Sequence, residues 1–325
     1  MVPEFFCLSD ASLIGFLNTS NDLKKEINTL VDLAETIIDS NQNVLTPSTI
    51  DSVDIGKNLF FYDLYSAEFD QSDKWNGIDR DTLERFLLLR RRLETIDSAP
   101  SVAQLCNLSG QCIWAQSASG AASVAQAMAA ETSYFAWLLI GPNGGDFGEY
   151  SLRFSNGADT RIYALRSSKE LPLYARWLIK EFAQVEDDFF FLWERAFPSI
   201  LKSDDLSFRR FQGTYINLRD DVTKHLAFLN DHFESLWNEC NMDFAIFKAR
   251  AKSAFDVDFS NESTQTRNSS KKMNERNAAF NGMIVRCELH TKIQPTVNRI
   301  HFHPPKSEIG GSKILVGIFV NHLST

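Results

Sequence analysis

The last sixty residues of this 325-residue chain hold four of its six histidines, His290, His301, His303 and His322. They fall in three runs with strand-like patterning. In 284–292, Val285, Cys287, Leu289 and Thr291 alternate with Arg286, Glu288, His290 and Lys292. In 298–303, Ile300 and Phe302 alternate with Arg299, His301 and His303, and a third run, Ile314 to Val320, ends in Asn321 and His322. Strand side chains repeat every two residues, roughly 6.5–7 Å apart on one face. Pairing of the runs as a meander is therefore expected to gather Glu288, His290, Arg299, His301 and His303 on one face, with Leu289, Ile300 and Phe302 packed inward.

That set of side chains suits phosphodiester chemistry. RNA is cut without a metal when one group takes the 2′-hydroxyl proton and another protonates the departing 5′-oxygen, while cationic donors stabilise charge on phosphorus. Glu288, His290, His301 and His303 are the expected proton-transfer residues, because imidazole suits either role. Arg286, Lys292, Arg299 and His322 are the expected phosphate ligands. Two other readings stay open. His301 and His303, with His290 or His322, have a spacing that suits a transition metal, although the neighbouring cations oppose a dication and one Glu supports no magnesium site. The same alternation also describes the wet side of a half-exposed sheet. No metal and no cofactor is assigned.

The elements that must carry these residues follow from composition. A hydrophobic fraction of 44% and a charged fraction of 23% describe a globular chain. Its net charge of −9 is uneven: residues 266–325 carry nine Lys/Arg against three Glu, leaving 24 basic and 39 acidic residues ahead of them. A basic end on an acidic body handles an anion locally or attracts the body itself, and the body's charge excludes wholesale coating by nucleic acid. The five cysteines, at 7, 106, 112, 240 and 287, show no metal or redox spacing. They are expected as buried free thiols in a reducing cytoplasm. No secretory leader pattern opens the chain. Residues 118–140 are rich in small and apolar residues but are interrupted by Glu131, Thr132 and Ser133. A buried Ala-rich helix, not a membrane span, is expected there.

The first hundred residues read mainly as helix. Apolar residues at helical spacing follow Asn21, and a second helix follows Asp81 and Glu84. The Arg90-Arg91-Arg92 triplet is expected on its surface, paired with acidic neighbours. Gly141–Gly145 breaks the chain. Two strand-like runs, 149–154 and 160–165, flank Asn156-Gly157, a hairpin signal. Helical patterns then cover 172–196 and 220–239, with His225 and His232 flanking the apolar stripe of the second. Residues 258–281 are polar and read as a long loop.

The stretch "RCELHTKI…NRIHFHPP…KILVGIFVNHL" resembles the terminal sheet of RelE/HigB-type ribonuclease toxins. The matching positions are Glu288-Leu289, Arg299-Ile300 and Ile314 to His322. The resemblance implies mRNA cleavage by basic and histidine side chains on the sheet, in a bacterial toxin or phage-defence setting. The chain departs from that family where His290 replaces an arginine, where the terminus lacks a lysine-rich tail, and where 265 residues precede the sheet.

The expected class is α+β: a mostly helical N-terminal and central body with one β-hairpin, followed by a small C-terminal antiparallel sheet. The expected regions are 1–140, 141–257 and 258–325. The expected function is that of a metal-independent, cytoplasmic ribonuclease-like effector acting on RNA or another nucleic acid, with a protein partner and no membrane span. The alternative is a non-enzymatic interaction subunit of a larger assembly.

Overall fold

The computed structural model describes residues 4–8, 10–13, 15–19, 22–64, 78–96, 102–107, 112–114, 134–138, 146–154 and 159–324. The class is α+β, and the chain divides into two compact units, Met1–Tyr174 and Ala175–Thr325. The boundary lies inside the helix Leu171–Phe182, and neither 140 nor 257 divides the units. Among the described residues no helix is long and apolar enough to cross a membrane.

The first unit departs from a mainly helical expectation. Its strands are β1 (Glu4–Leu8), β2 (Val44–Pro47), β3 (Asp54–Gly56), β4 (Leu59–Phe60), β5 (Glu94–Ile96), β6 (Val102–Asn107), β7 (Cys112–Trp114), β8 (Tyr134–Leu138), β9 (Gly148–Phe154) and β10 (Asp159–Leu165). Eight of them form one sheet in the order β5-β2-β1-β8-β10-β9-β6-β7. The pairs from β5 to β10 are parallel and those from β10 to β7 antiparallel. Short parallel strands buried on both faces carry no polar alternation, so their sequence period gives them no signature. The expected hairpin is the β9–β10 pair; its Asn156-Gly157 turn lies outside the described residues, as do Gly141–Gly145. Tyr134–Leu138, inside the expected Ala-rich helix, is strand β8, and residues 118–133 lie outside the described residues.

Both expected early helices are present. Leu23–Asp39 starts one residue later than Asn21 suggested, because the Asp22 carboxylate accepts from the Lys25 amide. It buries Ile27, Leu30, Val31, Ala34 and Ile37 on one stripe. Arg80–Arg92 is capped by Asp79, and Arg85, Arg90 and Arg92 meet Asp32 and Glu35, Asp51, and Asp39 respectively. Two arginines of the triplet, Arg90 and Arg92, are thus ion-paired.

The second unit is built on a five-stranded sheet in the order β11-β17-β16-β15-β12, with β11 (Ile200–Lys202), β12 (Asp258–Ser260), β15 (Leu289–Lys292), β16 (Arg299–His303) and β17 (Ile314–Val320). The expected terminal meander β15-β16-β17 is there, but the sheet is mixed, because β11 joins β17 in parallel. Residues 258–281 are no loop: they supply β12, the short helices Thr264–Arg267 and Ser270–Asn274, and β13 (Asn277–Phe280). Among the described strands β13 pairs only with β14 (Met283–Arg286).

Both faces of this sheet are covered. On one, helices Tyr215–Asp231, Phe233–Glu239 and Phe244–Phe255 bring Phe228 and Phe247 to 5.3 and 5.0 Å from Phe259, and Phe233 to 5.5 Å from Phe302. On the other, Ala278, Phe280, Val285 and Cys287 pack with Leu315, Ile318 and Val320. The turn from β15 into β16 is held by Asn298, which is fully buried at a left-handed φ of 60° and exchanges two side-chain hydrogen bonds with the Gln212 backbone. Asparagine tolerates that backbone region better than most residues.

Candidate functional site

The β15–β16 ladder sets His290 opposite His301 and Lys292 opposite Arg299. On β12, Ser260 pairs with His290, and Asp258 with Lys292. The two-residue period therefore lays two imidazoles and two cations on one face. The imidazole centroids are 4.7 Å apart with ring planes at 36°.

A buried ion pair closes over the histidines from segments that sequence patterning left in a loop. Glu262, just past β12, meets Arg276, just past Ser270–Asn274. Arg276 Nε lies 2.8 Å from Glu262 Oε1, and its Nη2 donates to Oε2 at 2.9 Å. The same guanidinium donates to the carbonyls of Lys272 and Ser324, so it also fastens the C-terminal segment over the sheet. Glu262 Oε1 stands 3.7 Å from His290 Nδ1 and 3.9 Å from His301 Nδ1. His301 Nδ1 is 3.3 Å from the Cys287 carbonyl, which fixes the proton on that nitrogen when they bond. Two buried ring nitrogens, His290 Nδ1 and His301 Nε2, have no hydrogen-bond partner here, and the Arg276 Nε–Glu262 Oε1 contact beside them is ionic without hydrogen-bond alignment.

A half-open cleft of about 220 Å³ reaches this cluster, and Lys292, Arg299 and the exposed His322 also line it. Burial holds the His290 imidazole down to about 3, and the charges of Arg299, Lys292 and Arg276 press the same way. His301 is lowered as well, by burial first and then by His290. Both rings are neutral in a cation-rich setting, which attracts an anion.

The structure thus brings His290, Lys292, Arg299, His301 and His322 to one cleft. It places Arg286, Glu288 and His303 at another, of about 440 Å³, floored by Leu289 and Phe302. There Glu288 pairs with Arg267 at 3.4 Å, and the His303 Nδ1 bonds the Pro304 carbonyl. The expected single face breaks because its period holds only within the ladder. Glu288 precedes the first residue of β15, and the β16–β17 register shifts between His301 and Phe302. Ile300 and Phe302 are buried as expected, but so are His290 and His301, at 6% and 1% exposure. The carboxylate facing the histidines is Glu262, not Glu288. Neither Glu262 nor Arg276 carried a sequence signal, since each lies in a polar stretch without periodicity. His225 is buried on its helix, with its imidazole lowered to about 4, while His232 lies against Phe255. Neither joins a cluster with the other.

Comparison with protein-family models, with curated proteins and with solved structures finds no match for this chain.

Proposed function

We propose that the second unit is a metal-independent ribonuclease whose working face is the His290–His301 and Lys292–Arg299 double pair. The observation that carries this reading is the ladder register, which sets two imidazoles beside two cationic side chains at the same cleft. Lys292 and Arg299 hold the phosphodiester and stabilise the charge that develops on its oxygens. The imidazole pair starts neutral, accepts the 2′-hydroxyl proton as the 2′-oxygen attacks phosphorus, and returns a proton to the departing 5′-oxygen. Protons taken and given balance, and the products are a 2′,3′-cyclic phosphate and a 5′-hydroxyl. Glu262, neutralised by Arg276, orients the rings without contacting substrate.

The resemblance of the terminal strands to RelE/HigB-type toxins supports an effector role in a bacterial toxin or antiviral defence system. The free buried thiols of Cys7, Cys240 and Cys287 fit a cytoplasmic setting. The test is incubation of purified protein with labelled RNA and the matching DNA, with and without EDTA. Cleavage of RNA alone, unaffected by EDTA and leaving cyclic phosphate ends, is expected; intact RNA under all conditions rejects the reading.

One observation favours the alternative of an interaction subunit. β14 has a single neighbour among the described strands and exposes Met283 and Ile284 at 43% and 65%. An edge strand with bare apolar side chains is a pairing surface for another chain. Under that reading Ile284→Glu abolishes partner capture while the His290–His301 pair can be removed without effect.

A further inference from the structure

Three ligating side chains meet inside the second unit, and each histidine among them brings a buried ring nitrogen with no hydrogen-bond partner. Glu262, His290 and His301 are each more than nine-tenths buried, and each offers one ligand atom within 4.8 Å of the other two. Among the described residues no other group of three histidine, cysteine or acidic side chains converges in this way. His290 Nδ1 and His301 Nε2 make no hydrogen bond, and Glu262 Oε1 is met by Arg276 Nε at 2.8 Å in an ionic contact without hydrogen-bond alignment. Leaving buried acceptors unmatched is unfavourable, so the cluster suits a group that enters it.

We propose that Glu262, His290 and His301 bind one divalent ion of the zinc class. Two imidazole nitrogens and one carboxylate oxygen are a transition-metal set, whereas magnesium and calcium take oxygens. Bonds of about 2.0–2.2 Å put tetrahedral zinc ligands about 3.4 Å apart. The separation of 3.7 Å between Glu262 Oε1 and His290 Nδ1 closes to that by side-chain adjustment of a few tenths of an ångström, and a His301 ring nitrogen lies within 4.8 Å of both residues' ligand atoms. The outer shell is present too. The Cys287 carbonyl accepts from His301 Nδ1, leaving Nε2 to ligate, and Arg276 holds the carboxylate. The fourth position opens on the cleft lined by Lys292 and Arg299. Arg276 already neutralises Glu262, and Lys292 and Arg299 oppose a dication. The ion therefore binds more weakly than a structural zinc and exchanges.

One consequence rests on the ribonuclease reading; the ion site itself does not. A bound ion takes up the imidazole lone pairs that accept the 2′-hydroxyl proton, so zinc inhibits cleavage.

The experiment uses the full chain, stripped with EDTA and dialysed, and titrated with zinc chloride by calorimetry and with cobalt(II) by visible absorption. One equivalent of zinc is expected. Glu262→Gln, His290→Gln and His301→Gln keep side-chain size and are expected to weaken binding roughly tenfold or more, with circular dichroism verifying the fold. His232→Ala, outside the cleft, is expected to bind like wild type. No uptake by wild type, or uptake undiminished in both histidine variants, overturns the site. Zinc held by these residues in a protein that cuts no RNA keeps the site and rejects the ribonuclease reading. Loss of RNA cleavage on stripping, with recovery on adding zinc, keeps the site and rejects both the metal-free mechanism and the inhibition.

Discussion

His290 and His301 stand directly opposite one another on neighbouring antiparallel strands, with ring centroids 4.7 Å apart and Glu262 Oε1 within 4 Å of a nitrogen on each. Two imidazoles at that distance are close enough for one small molecule or ion to touch both.

For cleavage, His290→Ala is expected to slow RNA turnover by about 10²–10⁴-fold, the usual contribution of a positioned acid or base. His301→Ala is expected to act similarly, and the double variant to lose little more, since the pair works as a unit. Single-turnover rates with a labelled oligoribonucleotide measure this. Full activity in the double variant dismisses the site.

Lys292→Ala and Arg299→Ala are expected to lower the rate and to flatten its dependence on salt, because each cation lost releases one fewer condensed counterion on binding. Lys313→Ala, exposed and outside the cleft, serves as control. Equal salt slopes for wild type and both variants contradict phosphate contact.

The Glu262–Arg276 pair is almost wholly buried, at 4% and 1% side-chain exposure. Removing one member strands the other, so Arg276→Met is expected to cost about 3–5 kcal/mol, more than the double change Glu262→Met/Arg276→Met. Urea unfolding of the two variants decides the order.

Gly317 lies in mid-strand, where a Cβ would sit 2.5 Å from Cys287 Sγ and 2.8 Å from Ala278 Cβ. Gly317→Ala is expected to destabilise by about 1–3 kcal/mol through overpacking, and Cys287→Ala in the same chain is expected to recover part of it. A thermal scan showing no loss for Gly317→Ala would mean that the β13–β14 hairpin shifts freely.

His225 gives a pH dependence. Burial, then Lys224, lowers its imidazole to about 4. The unfolded chain takes a proton near the ordinary value of about 6.5, so protons favour unfolding between these values. Its stabilising contribution is complete above that window and declines as pH falls through it, by up to about 1.4 kcal/mol per pH unit. His225→Gln, neutral throughout, is expected to show a shallower decline between pH 7 and 4 in denaturant melts. Parallel curves count against the assignment.

What the sequence determined by itself lies where one local period governs. The alternation around His301 specified β16 and the run Ile314 to Val320 specified β17, while the run 284–292, expected as one strand, is divided into β14 and β15. The spacing of Ile27, Leu30, Val31 and Ile37 specified the helix Leu23–Asp39. Tertiary structure decided the rest. The first unit's sheet joins strands far apart in sequence, β1 with β8 and β2 with β5, and parallel pairing between distant segments leaves no local pattern. The site's carboxylate was decided in the same way. Glu288 is nearer in sequence to His290, yet Arg267 pairs with it at the other cleft. Glu262 reaches the histidines because β12 forms the sheet edge beside β15 and Arg276 holds the carboxylate in place. Strand register can be read from a period of two, but which side chain covers a strand's face depends on segments that fold back over it, and their approach is set by packing.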